Sequence, residues 1–145
     1  MSMPVTQHFE LSEFASRGAD GVVPYPAEWI TDRLLPLCSM LEVIRATLGD
    51  RWMEVTPHGG YRTDALVASL LAAGHRVASA TQHKQGRACD FIVEGMPPSD
   101  VHARILSMQQ AGRLPLLGGL GLYAKFVHVD IREKVPPGHL ARWEG

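Results

Sequence analysis

Apolar residues recur at alternating steps of four and three between positions 30 and 48 of the chain. They are Ile30, Leu34, Leu37, Leu41, Ile44 and Leu48. This spacing puts all of them on one face of an α-helix, so it predicts a long helix with a buried side. Pro26 suits the first turn and Gly49 the C-terminal end, whereas Pro36 is expected to kink the helix or to split it in two.

Shorter patterns predict the other elements. Strands are expected at 52–57, 87–93, 118–123 and 126–132, the last two as a hairpin-like pair. Two more helices are expected at 64–73 and 100–111, with Thr63 and Ser99 as their N-caps. The tail after position 132 has no regular pattern, and Trp143 is its expected anchor. Helices early and mid-chain with strands late indicate an α+β fold with an antiparallel sheet.

Composition narrows the function classes. The 145 residues suffice for one domain over 1–145, and the net charge of −1 indicates no surface for nucleic acid. No apolar run reaches membrane-spanning length and the first residues lack a secretory pattern, so we expect cytoplasmic synthesis and no membrane partner. Cys38 and Cys89 sit among apolar residues and are expected to be buried and free of a disulfide framework.

The stretch ATQHKQGRACDF contains His83 and Asp90 seven residues apart, with Gly86 allowing a tight turn between them. Asp90 falls inside a predicted strand, where a carboxylate is costly unless it is paired or binds a cation. In FVHVDIR, strand alternation puts His128 and Asp130 on the face opposite the valines. His83, Asp90 and His128 together offer three N/O ligands, the number typical of a catalytic zinc with an open fourth position.

These residues also have ordinary explanations. A single histidine is more often a surface residue or a hydrogen-bonded core residue, and this is our interpretation of His8, His58, His75, His102 and His139. Asp90 taken alone is as consistent with a strand-end carboxylate or a helix cap. The residues by themselves are therefore consistent with a zinc triad and with ordinary surface or core positions.

Several motifs resemble those of one enzyme family. Residues 81–90, TQHKQGRACD, are similar to the S-x-H-x-x-G-x-A-x-D signature of zinc D-alanyl-D-alanine carboxypeptidases and related peptidoglycan peptidases. That family is grouped with lysostaphin-type enzymes and the hedgehog signalling domain. GGYRT at 59–63 is similar to the family's S-G-Y-R segment. GLGLYAKFVHVDIR followed by ARW resembles the ending of a small bacterial and phage branch. The resemblance covers most of the chain, with the motifs in the same order.

The resemblance implies an α+β fold whose central antiparallel sheet carries a zinc ion. It also implies hydrolysis of amide bonds in peptidoglycan stem peptides, by a D,D-carboxypeptidase or a cell-wall endopeptidase. By motif, the implied zinc ligands are His83, Asp90 and His128. Arg62 is implied to polarise the scissile carbonyl or to hold the developing oxyanion. Thr81 stands in the serine's place and keeps a hydroxyl for the substrate or a ligand.

One position departs from the family pattern. Better-known members carry an acidic residue three positions before the last ligand histidine, and this chain has Lys125 there. A general base must still take a proton from water, and Asp130 is our candidate. Asp130 could instead orient a ligand histidine, or could itself be the ligand with His128 beside it. All three roles stay open at the level of sequence.

Two functions compete for the whole chain. The first is an active zinc peptidase acting on peptidoglycan as a monomer, either a phage or prophage product, released or virion-associated, or a bacterial enzyme. The second is a non-catalytic module of the same fold that keeps the metal and binds a partner, and Lys125 motivates it. In either case we expect specificity to depend on loops such as 17–26 and 133–141.

Overall fold

A five-stranded sheet forms the centre of the fold. The computed structural model describes residues 2–19, 21–77 and 81–145. In chain order the elements are β1 (Pro4–Thr6), β2 (Phe9–Glu10), β3 (Ser16–Gly18), β4 (Gly21–Val23), α1 (Leu35–Thr47), β5 (Met53–Val55), α2 (Asp64–Ala72), β6 (Ala88–Val93), α3 (Pro98–Gln110), β7 (Gly119–Leu122), β8 (Val127–Asp130) and β9 (Ala141–Glu144). The central strands lie in the order β5-β6-β8-β7-β9, and all pairs are antiparallel except β7 with β9. The predicted α+β fold is confirmed.

The long amphipathic helix is present in its split form. A 3-10 turn (Ala27–Trp29) and a π-helical turn (Ile30–Leu34) precede α1. Pro36 lies in the first turn of α1, where the π-helical turn gives way to the α-helix. Gly49 follows the helix at a φ of 87°, a left-handed conformation that ends it without steric cost.

The core lies between the helices and one face of the sheet. The predicted apolar face of the helical segment is buried at Leu34, Leu37, Leu41, Ile44 and Leu48. It joins one cluster with residues of β6, β7 and β8 and of α3: Cys89, Phe91, Leu120, Val127, Val129 and Ile105. Both cysteines are buried and free, as predicted. Because side chains alternate along a strand, the polar residues of β6 and β8 face the other side of the sheet.

The structure confirms one predicted helix cap and corrects another. The Thr63 side chain accepts a hydrogen bond from the Leu66 N–H at 3.1 Å and caps α2. By contrast, α3 begins at Pro98 with Pro97 as its N-cap, so the prediction of Ser99 is wrong. A proline in the first turn has no N–H to satisfy, which lessens the need for a capping side chain.

The tail is more regular than predicted. Residues 141–144 form β9, which runs parallel to β7. A four-residue strand is too short to show a reliable alternation, and its partner lies far away in the sequence.

No helix among the described residues is long and apolar enough to cross a bilayer.

Candidate metal centre

Sheet register brings the three predicted ligands together. In the β6–β8 pair, Asp90 lies opposite His128, and the loop before β6 places His83 beside them. The ligand atoms of the three residues lie within 4.8 Å of one another, and all three residues are buried. Motifs 38 residues apart, at Asp90 and His128, thus meet in one group that could hold a metal ion.

The hydrogen bonds of the two imidazoles fit a cation at this group. His83 Nδ1 lies 2.9 Å from the Gly60 carbonyl oxygen, and His83 Nε2 lies 3.2 Å from Asp90 Oδ1. His128 Nε2 lies 2.7 Å from Asp130 Oδ2, and His128 Nδ1 lies 2.9 Å from Asp90 Oδ1. A neutral imidazole has one N–H. If His83 donates it to the Gly60 carbonyl and His128 donates it to Asp130, the other ring nitrogen of each histidine faces Asp90 Oδ1 with a lone pair. A metal ion between the three acceptors would remove this repulsion.

Burial and local charge agree with this arrangement. Burial lowers the pKa of His83, which favours the neutral imidazole that metals bind. Burial opposes ionisation of Asp90, but His83 and His128 outweigh it and hold the pKa of that carboxyl well below its usual range. Burial also opposes protonation of His128, yet its hydrogen bonds to Asp130 and Asp90 raise its pKa. A proton and a metal ion would therefore compete for the same imidazole nitrogen.

Asp130 lies behind His128 and is fully buried. Its Oδ2 faces His128 Nε2 and accepts from Arg132 Nη2 at 2.6 Å, and its Oδ1 accepts from Arg132 Nε at 2.8 Å. Burial raises the pKa of Asp130, but the bonds from His128 and Arg132 outweigh it and lower the pKa to about 2. With both oxygens engaged, the geometry favours the orienting role over that of general base or ligand.

Arg62 and Thr81 both support a ligand residue. Arg62 Nη2 donates to Asp90 Oδ2 at 3.0 Å, and Arg62 Nε donates to the His58 carbonyl oxygen at 2.8 Å. The Thr81 hydroxyl oxygen accepts the His83 backbone N–H at 3.2 Å. Both residues also line the cavity above the group, so both can contact a substrate.

The glycines of GLGLY make room for the site. Gly119 pairs with Asp130, and Gly121 pairs with His128 on one side and Trp143 on the other. A Cβ at Gly119 would lie 2.6 Å from Asp130 Oδ1, and one at Gly121 would lie 2.6 Å from Trp143 Nε1. The Trp143 ring packs against the His128 ring with centroids 5.0 Å apart, which confirms Trp143 as the anchor of the tail. Alternate glycines beside a strand of alternate polar residues are the signal that sequence reasoning missed.

An open cavity of about 700 Å³ lies over the metal group. Tyr123, Phe126 and Trp143 supply aromatic surface to it. His58 and His75, which we interpreted from the sequence as ordinary surface or core histidines, line it as well. Among the described lining residues, Asp90 has the sole carboxylate side chain.

The cavity is lined by segments other than the two loops in which we expected specificity. The described lining residues include 74–77, 123, 126, 143 and 145, and none comes from 17–26 or 133–141. The described parts of those two loops do not line this cavity, and their role in specificity stays a prediction.

Comparison with known proteins identifies relatives of the chain. The peptidoglycan L,D-endopeptidase MepK of Escherichia coli (strain K12) is 36% identical over 96 residues, which are 65% of this chain and 48% of that protein. The probable peptidoglycan L,D-endopeptidase MepK of Haemophilus influenzae is 30% identical over 104 residues, which are 70% of this chain and 49% of that protein. The chain thus spans about half the length of these relatives. No solved structure matches it.

The family comparison covers the metal group itself. A family model described as peptidoglycan L,D-endopeptidase MepK matches residues 30–135, a range that contains His83, Asp90 and His128. This match confirms the resemblance drawn from the motifs. The chain belongs to this family of peptidoglycan peptidases.

Proposed function

We infer that this chain hydrolyses amide bonds in the peptides of peptidoglycan with a zinc ion held by His83, Asp90 and His128. The observation that carries the inference is the buried triad at the floor of an open cavity, with each imidazole oriented by a hydrogen bond at its far nitrogen. Membership of a peptidoglycan peptidase family supports the substrate class.

The donor set suits catalytic zinc, which takes three protein ligands and keeps a fourth position open. Zinc bound there would supply Lewis acidity, which polarises a carbonyl group and acidifies water. Asp130 fixes the tautomer and direction of His128, and Arg132 holds Asp130 in place. Arg62 uses two of its N–H groups on Asp90 and His58 and keeps others to donate to a substrate carbonyl oxygen.

For the bond that is cut, we propose an L,D bond within a cross-link, hence an endopeptidase activity. The support comes from the relatives, which are named L,D-endopeptidases. The D,D-carboxypeptidase activity and the phage origin expected from the motifs find no support in these relatives.

We further propose that residues 1–145 act as one monomeric domain. A single buried cluster that runs from Phe9 to Val129, with Leu140 packed against it, supports the single domain. Light scattering after size exclusion tests the monomer, and a mass of two chains would contradict it.

The binding module remains the second candidate, and one observation favours it. Lys125 occupies the position of the expected acid, and Asp130 has both carboxylate oxygens engaged behind His128. A member that keeps its metal but lacks a proton acceptor would bind peptidoglycan peptides without cutting them.

Digestion of purified peptidoglycan by the zinc-loaded protein separates the two candidates. We expect fragments whose masses place the cut at an L,D bond, identified by mass spectrometry. His83→Ala should release none, whereas His139→Ala, at an exposed histidine, should digest like the wild type. A zinc-loaded wild type that binds peptidoglycan and releases nothing would overturn the peptidase in favour of the binding module.

A further inference from the structure

We propose that Tyr123 is a catalytic residue of this site. Its hydroxyl donates a hydrogen bond to the carbonyl oxygen of the scissile amide as that oxygen gains negative charge. The proposal rests on the hydrolytic function proposed above. It makes Tyr123 a second hydrogen-bond donor to the substrate oxygen, beside Arg62 and from the other side of the metal group.

The Tyr123 hydroxyl is arranged as a donor towards the cavity. Trp143 Nε1 donates to the Tyr123 oxygen at 2.8 Å, so the phenol oxygen already accepts a hydrogen bond. Within 2–19, 21–77 and 81–145, no acceptor takes the hydrogen of that hydroxyl. Tyr123 lines the cavity that contains the ligand side chains, so an oxygen of a bound peptide can accept it.

The ring of Tyr123 is held in place before any substrate binds. It stacks on Phe126 with ring centroids 4.5 Å apart and an interplanar angle of 16°. Its backbone N–H donates to the Phe126 carbonyl oxygen at 3.1 Å and closes the turn between β7 and β8. On another side the ring lies against Gly145, where a Cβ would collide with it. A donor fixed in this way needs little reorganisation when charge develops on the substrate.

Sheet order places Tyr123 and Arg62 on opposite sides of the ligands. Asp90 and His128 lie on the adjacent strands β6 and β8. Arg62 follows β5, which flanks β6, while Tyr123 follows β7, which flanks β8. A substrate carbonyl above the metal group would lie between the two donors.

Tyr123 keeps its proton throughout the proposed step. When the oxygen of a water molecule bonds to the amide carbon, the C=O π electrons move onto the carbonyl oxygen, and the Tyr123 hydrogen bond strengthens. When the C–N bond then breaks, those electrons re-form the carbonyl, and the nitrogen leaves as an amine with a proton from water. An interaction that is stronger in this transition state than in the bound substrate raises kcat and has little effect on KM.

The direct test is Tyr123→Phe, assayed on a defined cross-linked muropeptide. Loss of one such donor typically lowers kcat by about 100-fold or more, and we expect that fall with KM within about threefold and with unchanged zinc content. Tyr61→Phe is the matched control, because Tyr61 packs against Tyr25 and Trp29 and is not among the described lining residues. This control should keep the wild-type kcat.

A binding measurement distinguishes catalysis from a merely structural role. A phosphinate analogue of the muropeptide has a tetrahedral anionic centre, and Tyr123→Phe should weaken its binding by about 100-fold while the product peptide binds as before. Trp143→Phe keeps the hydroxyl and should lower kcat less than Tyr123→Phe does. Wild-type kcat and analogue affinity in Tyr123→Phe, with an active parent, would overturn this inference alone. An inactive wild type would overturn the proposed function and this inference with it.

Discussion

At the scale of single residues, the contact between His128 and Asp130 gives Asp130 its proposed role of orienting the imidazole. We expect Asp130→Asn to weaken zinc binding by about 10-fold to 100-fold, because loss of an outer hydrogen-bond partner of a ligand histidine has effects of that size. Competition with a chromophoric chelator measures the affinity. Asp100→Asn, at an exposed carboxylate on α3, is the control and should bind zinc like the wild type. Wild-type zinc affinity in Asp130→Asn together with lost activity would instead assign Asp130 as the general base.

The space beside Asp130 is a second residue-scale feature. Gly119→Ala should lower the free energy of unfolding by about 1–3 kcal/mol, since the new methyl group would press on the buried carboxylate of Asp130. Urea denaturation measures the change. Gly18→Ala is the matched control, because its Cβ would make only an ordinary 3.4 Å contact with Leu66. Equal stabilities of the two variants would contradict this packing argument.

The three residues that meet in the candidate metal group were predictable from sequence, whereas the side chains that pack around them were not. A carboxylate at Asp90 inside an apolar strand and the alternation at His128 both mark polar groups on a buried face. The contact of Trp143 with His128 and the room that Gly121 leaves for Trp143 depend on strand register. Register across distant strands has no local signature, so these contacts required the three-dimensional structure.

At the scale of elements, α2 begins next to the site. Thr63 caps this helix and directly follows Arg62. Thr63→Ala should lower the free energy of unfolding by about 1 kcal/mol, whereas Thr63→Ser should keep most of it, because a serine hydroxyl caps as well. Thermal and urea unfolding measure both variants. The account of this helix start fails if the alanine and serine variants are equally stable.

The elements also show which patterns carry information. The buried face of α1 was predicted because apolar positions repeat with the helical period from Leu34, just before α1, to Leu48, just after it. The strand β9 was missed because its pairing with β7 is parallel and is set by the partner strand and not by a turn. Long local patterns therefore specify helices, while short strands are specified by the sheet they join.

At the scale of the whole molecule, the N-terminal hairpin is attached to α1 by an ionisable group. Glu42 accepts the His8 backbone N–H at 2.8 Å and lies 2.7 Å from His8 Nδ1. Burial raises the pKa of Glu42, but the hydrogen bonds from His8 outweigh it and lower the pKa below its ordinary value of 4.5. A carboxyl whose pKa is lower in the folded state stabilises the fold above that ordinary value, and the stabilisation is lost as the pH falls through the folded-state pKa.

We therefore expect Glu42→Gln to be less stable than the wild type by about 1 kcal/mol at pH 7 and to approach it near pH 3. Urea denaturation at the two pH values measures the difference in the free energy of unfolding. Glu28→Gln, at an exposed glutamate, is the control and should match the wild type at pH 7. A difference between Glu42→Gln and wild type that does not change with pH would contradict the attachment.

The central claim for the whole molecule is that His83, Asp90 and His128 form one metal site, and a zinc titration of the metal-free protein tests it most directly. With a chromophoric chelator as competitor, we predict one tight zinc site per chain in the wild type and in His139→Ala. His83→Ala and Asp90→Asn should lose that site, because each removes one of three ligands. Tight binding of one zinc ion by His83→Ala, or none by the wild type, would contradict the account.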